Sequence, residues 1–167
     1  MFDFKPDPGQ SKPTLYADLN AAASALVEGE TDAVANMANL AALLWQFLPD
    51  CNWTGFYRMV DAELVLGPFC GRPACVRIAI GQGVCGTAAQ SGESQLVPDV
   101  HSFPGHIACD AGTRSELVVP VIREDAAGSR SVIAVIDCDS PTLGRFDEDD
   151  RIGLEEFARR IAGSIRS

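Results

Sequence analysis

Apolar residues recur at three- and four-residue steps in two early segments. From Lys12 to Glu28 the stripe runs through Leu15, Leu19, Ala22 and Leu26, which predicts a helix with Thr14 as its cap. A Gly-Glu-Thr-Asp break follows. Thr31 to Leu48 then repeats the signal through Val34, Met37, Leu40, Leu44 and Phe47, and Pro49 marks its end. Two helices joined by so short a break predict a hairpin. After them the runs shorten. TGFYRMV, ELVLGPF and CVRIAI are branched and aromatic and are separated by Asp, Gly and Pro, as strands are. Gly81-Gln82-Gly83 interrupts the pattern, VCGTAAQSG predicts a short helix ending at Gly92, and SQLVPDV a brief strand. ELVVPVI and SVIAVIDCD predict two more strands across the polar turn REDAAGSR. A closing helix spans Phe146 to Arg166, with Asp147 as its cap and Ile152, Leu154, Phe157, Ile161 and Ile165 on its apolar side. The order is that of an α+β unit. Its short connections favour a mainly antiparallel sheet of five or six strands with helices covering one face.

A chain of 167 residues is close to one domain at roughly 150 residues per domain. Residues 1–13 carry three prolines and little pattern, which predicts a flexible arm ahead of a single unit over residues 14–167. Charge narrows the partners. The net charge of −10 argues against a nucleic-acid backbone or an anionic membrane surface, since both demand positive charge. No run reaches the ~20 apolar residues of a membrane span. MFDFKPDPGQSKP has no apolar signal core, so a cytoplasmic location is expected.

Six cysteines, at positions 51, 70, 75, 85, 109 and 138, are many for a chain expected in a reducing compartment. Cys109 lies in HSFPGHIACDAGTRSE, a long turn-rich stretch between two strands. His106 and Arg114 could favour its thiolate and Asp110 opposes them, so a reactive thiol and a packed, inert one both remain open. Cys75 falls in a strand-like run and Cys85 just after the glycine turn; neither belongs to a C-x-x-C motif, and taken singly each reads as a small core residue. Cys70-x4-Cys75 and His101-x4-His106 fit the loose limits of a zinc site. The 25 residues between the pairs exceed the roughly 12–15 that such sites use.

Strand alternation places Asp137 and Asp139 on one face with Ile133 and Val135, while Cys138 faces the other way with Ala134 and Ile136. Two carboxylates on an apolar face are costly unless they meet a cation or one keeps a proton. They point either to a pocket for a small cationic ligand or to a strand end emerging into water at Ser140-Pro141. Glu116, at the start of ELVVPVI, either reaches the same pocket or is an ordinary exposed residue. Trp53 and Tyr57 share a strand face, where they could wall a site for a cation or a thioether or simply pack the core.

The segments NWTGFY, LVLGPFCGRPACVRIAIGQGVCGTAA, VPDVHSFPGHIACD, SELVVPV and IDCDSP closely resemble the free methionine-(R)-sulfoxide reductases, an enzymatic branch of the GAF domains. The resemblance covers Asn52 to Leu154. It implies a GAF fold with a six-stranded antiparallel sheet between helices, and an oxidoreductase that reduces free L-methionine-(R)-S-oxide but not oxidised methionine in proteins. It implies Cys109 as nucleophile, Cys75 as resolving thiol and Cys85 as a third redox thiol. Trp53, Tyr57, Glu116, Asp137 and Asp139 are the implied substrate contacts, and Cys51, Cys70 and Cys138 the structural thiols. The implied chemistry passes through a cysteine sulfenic acid and an intramolecular disulfide, recycled by thioredoxin. It needs no metal, flavin or nucleotide cofactor, and a homodimer is expected. The alternative is a non-catalytic GAF domain that senses a small ligand or redox state, and the three thiols discriminate between the two.

Overall fold

A computed structural model of the chain describes residues 4–105 and 111–165. Helix α1, Lys12–Val27, starts inside the segment expected as an arm. Its cap is Ser11 rather than Thr14: the Ser11 side chain accepts from the Thr14 N–H, and Pro13 suits the first turn. Phe4, farther upstream, packs against the core. Asp32 caps α2, Ala33–Phe47, by accepting from the Ala35 N–H. Of the expected stripes, Leu19, Ala22, Met37, Leu40, Leu44 and Phe47 are buried and Leu15 and Leu26 half-buried, whereas Val34, and Ile152 on the last helix, are more than half exposed.

The sheet comprises β1 (Trp53–Val60), β2 (Glu63–Gly71), β3 (Arg77–Ala79), β4 (Gln95–Val97), β5 (Ser115–Glu124) and β6 (Arg130–Ser140). Every pairing is antiparallel, in the order β3-β2-β1-β6-β5-β4. Helix α3, Gly83–Ser91, ends on Gly92 at φ 69°, a left-handed position that favours glycine. Helix α4, Glu148–Ile161, ends before the expected Arg166 and begins in a capping box between Asp147 and Asp150.

Helices cover both faces of this sheet, not one. Helices α1, α2 and α4 bury Leu19, Leu40, Leu44, Leu154 and Phe157 against Phe56, Leu117 and Ile136. Each such fully buried side chain contributes roughly 1.5–3 kcal/mol. On the other face α3 packs Val84, Cys85 and Ala88 with Trp53, Tyr57, Val118 and Val135.

Two irregularities matter for the site. The β5–β6 register runs from Val121↔Ala134 to Ile122↔Val132, skipping Ile133. This bulge reverses the alternation. Ile133 therefore packs with the α1–α2–α4 core and Val132 takes its expected place on the α3 face. Cys75 is also outside the strand expected for it. The β2–β3 ladder ends where the Leu66 N–H donates to the Val76 carbonyl, and Cys75 lies in the connection before β3.

An all-buried Asp150 ties the helices together. It accepts from Tyr16 Oη at 3.0 Å and from Arg145 at 3.2 Å to each oxygen, and it pairs with Lys12. Arg145 also donates to the Pro49 carbonyl at 2.9 Å, so α1, α4, the chain after β6 and the end of α2 meet at one carboxylate. Among the described residues no helix is long and apolar enough to cross a membrane.

Candidate active site

The cleft lies on the α3 face and encloses about 560 Å³, its open mouth included. Trp53 and Tyr57 from β1 form one wall, Glu116 from β5 and Asp137 and Asp139 from β6 the floor, and the start of α3 with Cys85 the opposite side. Trp53 stacks on Tyr57 with centroids 5.8 Å apart and on Phe69 at 5.1 Å. Its indole N–H donates to the Arg72 carbonyl at 3.2 Å, which fixes the ring edge. Gly55 permits this stack: a Cβ there would lie 2.8 Å from the Trp53 ring and from the Phe69 backbone.

The acids converge because β1, β6 and β5 are neighbours. Glu116 lies opposite Asp139 in the β5–β6 register, and Trp53 opposite Asp139 in the β1–β6 register. Glu116 and Asp137 are each only 6% exposed and share a side-chain hydrogen bond. Burial pushes Glu116 well above the usual carboxyl range, and the charges of Asp137 and Asp139 push it further. Burial raises Asp137 to about 7, against hydrogen bonds from Cys85 and Glu116 that lower it. Asp137 Oδ1 is buried without a partner. An acceptor left so is costly, and a donor entering the cleft would relieve it.

Cys85 Sγ lies 4.0 Å from Glu116 Oε1, and burial raises its thiol well above the usual range. Cys85, Glu116 and Asp137 offer ligand atoms within 4.8 Å of one another, close enough to hold a metal ion. The zinc pattern built on Cys70, Cys75, His101 and His106 loses a thiolate instead, since Cys75 is disulfide-bonded. Cys51, Cys70, Cys85 and Cys138 are free. Cys138 is fully buried on the other face beside Ala134 and Ile136. His106, Cys109 and Asp110 lie outside the described residues.

The structure thus gathers six of the eight expected site residues, Trp53, Tyr57, Cys85, Glu116, Asp137 and Asp139, around one cleft. Cys75 adjoins it through Ala74, which lines the mouth. Sequence reasoning did not single out Arg72, Gln82 or Thr113, which also line it. Thr113 accepts from Asn52 Nδ2 at 3.2 Å, a contact 61 residues apart in sequence that no local pattern signals. A second depression between β5 and α4 gathers Arg151 and Glu155, already paired with each other.

The GAF domain model matches residues 23–165. Over 151 residues the chain is 47% identical to the free methionine-R-sulfoxide reductase of Escherichia coli, covering 90% of this chain and 88% of that one. It belongs to the free methionine-R-sulfoxide reductase branch of the GAF family. The substrate-bound crystal structure of the free methionine-R-sulfoxide reductase from Neisseria meningitidis superposes with a TM-score of 0.86 at 41% identity, over 96% of this chain and 94% of that one. A putative GAF sensor protein from Burkholderia vietnamiensis superposes with a TM-score of 0.86 at 53% identity, over 93% and 96%. As a member of this reductase branch, the chain has the expected GAF sheet between helices, with the acid cluster on the adjacent strands β5 and β6.

Proposed function

We propose that this protein reduces free L-methionine-(R)-S-oxide to L-methionine with its own thiols. The observation that carries the reading is the carboxyl cluster of Glu116 and Asp137, buried beneath an aromatic wall and holding an unpartnered acceptor. The substrate's ammonium supplies donors to Asp137 and Asp139. Its methyl sulfoxide end rests on the Trp53–Tyr57 wall, where sulfur–aromatic contacts are favourable. A methionine inside a protein has no α-ammonium and leaves those carboxylates unpaired, which restricts the site to the free amino acid.

In the chemical step Cys109 supplies the attacking sulfur. The oxygen passes from the methionine sulfur to Cys109, and two electrons move the other way. A thiol and a sulfoxide thereby become a sulfenic acid and a thioether. Glu116, kept protonated by burial and by its acidic neighbours, hydrogen-bonds the departing oxygen and lends it a proton, which the attacking thiol's own proton replaces. The Cys75 thiol then attacks the sulfenic sulfur, forming the disulfide and releasing water before further oxidation. That Cys75 is itself in a disulfide supports its role as the resolving thiol. A thioredoxin dithiol resets both cysteines by exchange and becomes a disulfide itself. The protein would work as a homodimer, a point that sedimentation in solution decides.

A sensor reading is favoured by the likeness to the Burkholderia protein. A sensor would bind the sulfoxide without consuming it. The deciding experiment couples thioredoxin, thioredoxin reductase and NADPH to the R epimer, the S epimer and the N-acetylated R epimer. Only the free R epimer should consume NADPH, and Cys109→Ser should stop it. Binding without turnover would establish the sensor.

A further inference from the structure

We infer that Cys85 acts as a hydrogen-bond donor that positions the Glu116–Asp137 carboxyl pair, and not as a redox thiol. This rests on the reductase reading and assigns a different chemistry to one of its three cysteines. Cys85 is the third residue of α3, and it reaches down to the sheet instead of out to the cleft mouth. Its Sγ is 4.0 Å from Glu116 Oε1, and its sulfur lies within 4.8 Å of both carboxyl groups. It stays a free thiol in a structure whose Cys75 is already in a disulfide.

The surroundings oppose a redox role. Thiol–disulfide exchange needs a thiolate, and thiolates are stabilised by nearby positive charge. The charged groups that face Cys85 are Asp137 and Asp139 on β6 and Glu116 on β5, all acidic; Tyr57 on β1 faces the same cluster. Burial of the sulfur has the largest effect and these acids add to it, so the sulfur keeps its proton. Arg72 lines the same cleft but is exposed, on the connection after β2. A permanent S–H against two carboxyl groups that compete for one proton has a clear consequence. It stabilises the ionised form of Asp137, as does the hydrogen bond from Glu116. The S–H thereby holds the two carboxyl groups together at the cleft floor, and its hydrogen bond favours the charge on Asp137 that the ammonium needs.

The test compares Cys85→Ala with Cys85→Ser in the thioredoxin-coupled assay across pH, with wild-type thiols trapped in parallel. The alanine variant should cycle repeatedly. The acid limb of its kcat/KM profile should move up by about 0.5–1 pH unit, because one donor to a charged carboxylate is gone. Serine restores a donor and should bring the limb back toward wild type. In wild-type protein oxidised by one equivalent of substrate, Cys85 should react with an alkylating reagent only after denaturation, as a free thiol. This last measurement needs no variant to fold. Both variants releasing one methionine per chain and then stalling would overturn the inference, as would a Cys85 disulfide in the oxidised wild type or an unmoved acid limb in Cys85→Ala. Wild-type protein that reduces no free sulfoxide would overturn the reductase reading, and this inference with it.

Discussion

Burial makes the charge of Asp137 costly in the folded protein. Its carboxyl titrates at about 7, against roughly 3.9 in an unfolded chain. Between those values the folded protein binds more protons than the unfolded one. Asp137 therefore lowers stability progressively as pH rises from about 4 to about 7, and its full penalty applies above that window. Asp137→Asn should raise the thermal midpoint at pH 8, with the gain vanishing toward pH 4, as a melting series across pH would record. The same change should raise KM for the sulfoxide by roughly 10- to 100-fold, the loss of one charged hydrogen bond to the ammonium. Strand alternation made the Asp137–Asp139 face legible in the sequence. It misassigned Ile133 because a one-residue bulge reverses the faces and leaves no compositional mark. Cys75 read as strand because the residues after it are branched, although only Arg77–Ala79 joins the sheet.

Helices α1 and α4 meet at one buried carboxylate. Asp150 is fully buried and carries bonds from Tyr16 and Arg145 and the Lys12 ion pair. Asp150→Ala strands the Arg145 guanidinium, whose side chain is 9% exposed, and should cost about 3–5 kcal/mol in denaturant unfolding. Asp150→Asn, which keeps an acceptor, should lose less. Gly153, one turn along α4, lies under the Tyr16 ring, and a Cβ there would collide with it. Gly153→Ala should accordingly lower the thermal midpoint despite the better helix propensity of alanine. The three long helices were legible from their stripes. Asp150 was not, since its partners Lys12 and Tyr16 lie 138 and 134 residues away. Placement of α3 on the far face was also hidden, because its Gly, Ala and Cys residues are small and form no broad stripe.

For the molecule as a whole, the division of labour between the two faces is the main feature. Three helices and the larger core stabilise one side of the sheet, and the other side is left for a cleft lined by acids and aromatics. A chain of net charge −10 that also concentrates carboxyl groups in its cleft suits a small ligand bearing an ammonium, and disfavours polyanions. The sequence carried the family resemblance and most of the cleft residues. It could not show how closely Cys85, Glu116 and Asp137 crowd one another, because register across three strands and a helix sets that distance.

If the thiols of one chain reduce one sulfoxide and end as a disulfide at Cys75, the cysteines themselves carry the record. Fully reduced protein, freed of external reductant and mixed with excess free methionine-(R)-sulfoxide, is assayed for methionine release and its cysteines are mapped by peptide analysis. The expected result is about one methionine per chain, with Cys75 and Cys109 joined and the other four thiols free, in keeping with the two-electron balance of disulfide formation. No methionine released, or methionine released with Cys75 and Cys109 both still reduced, would rule out turnover by these thiols.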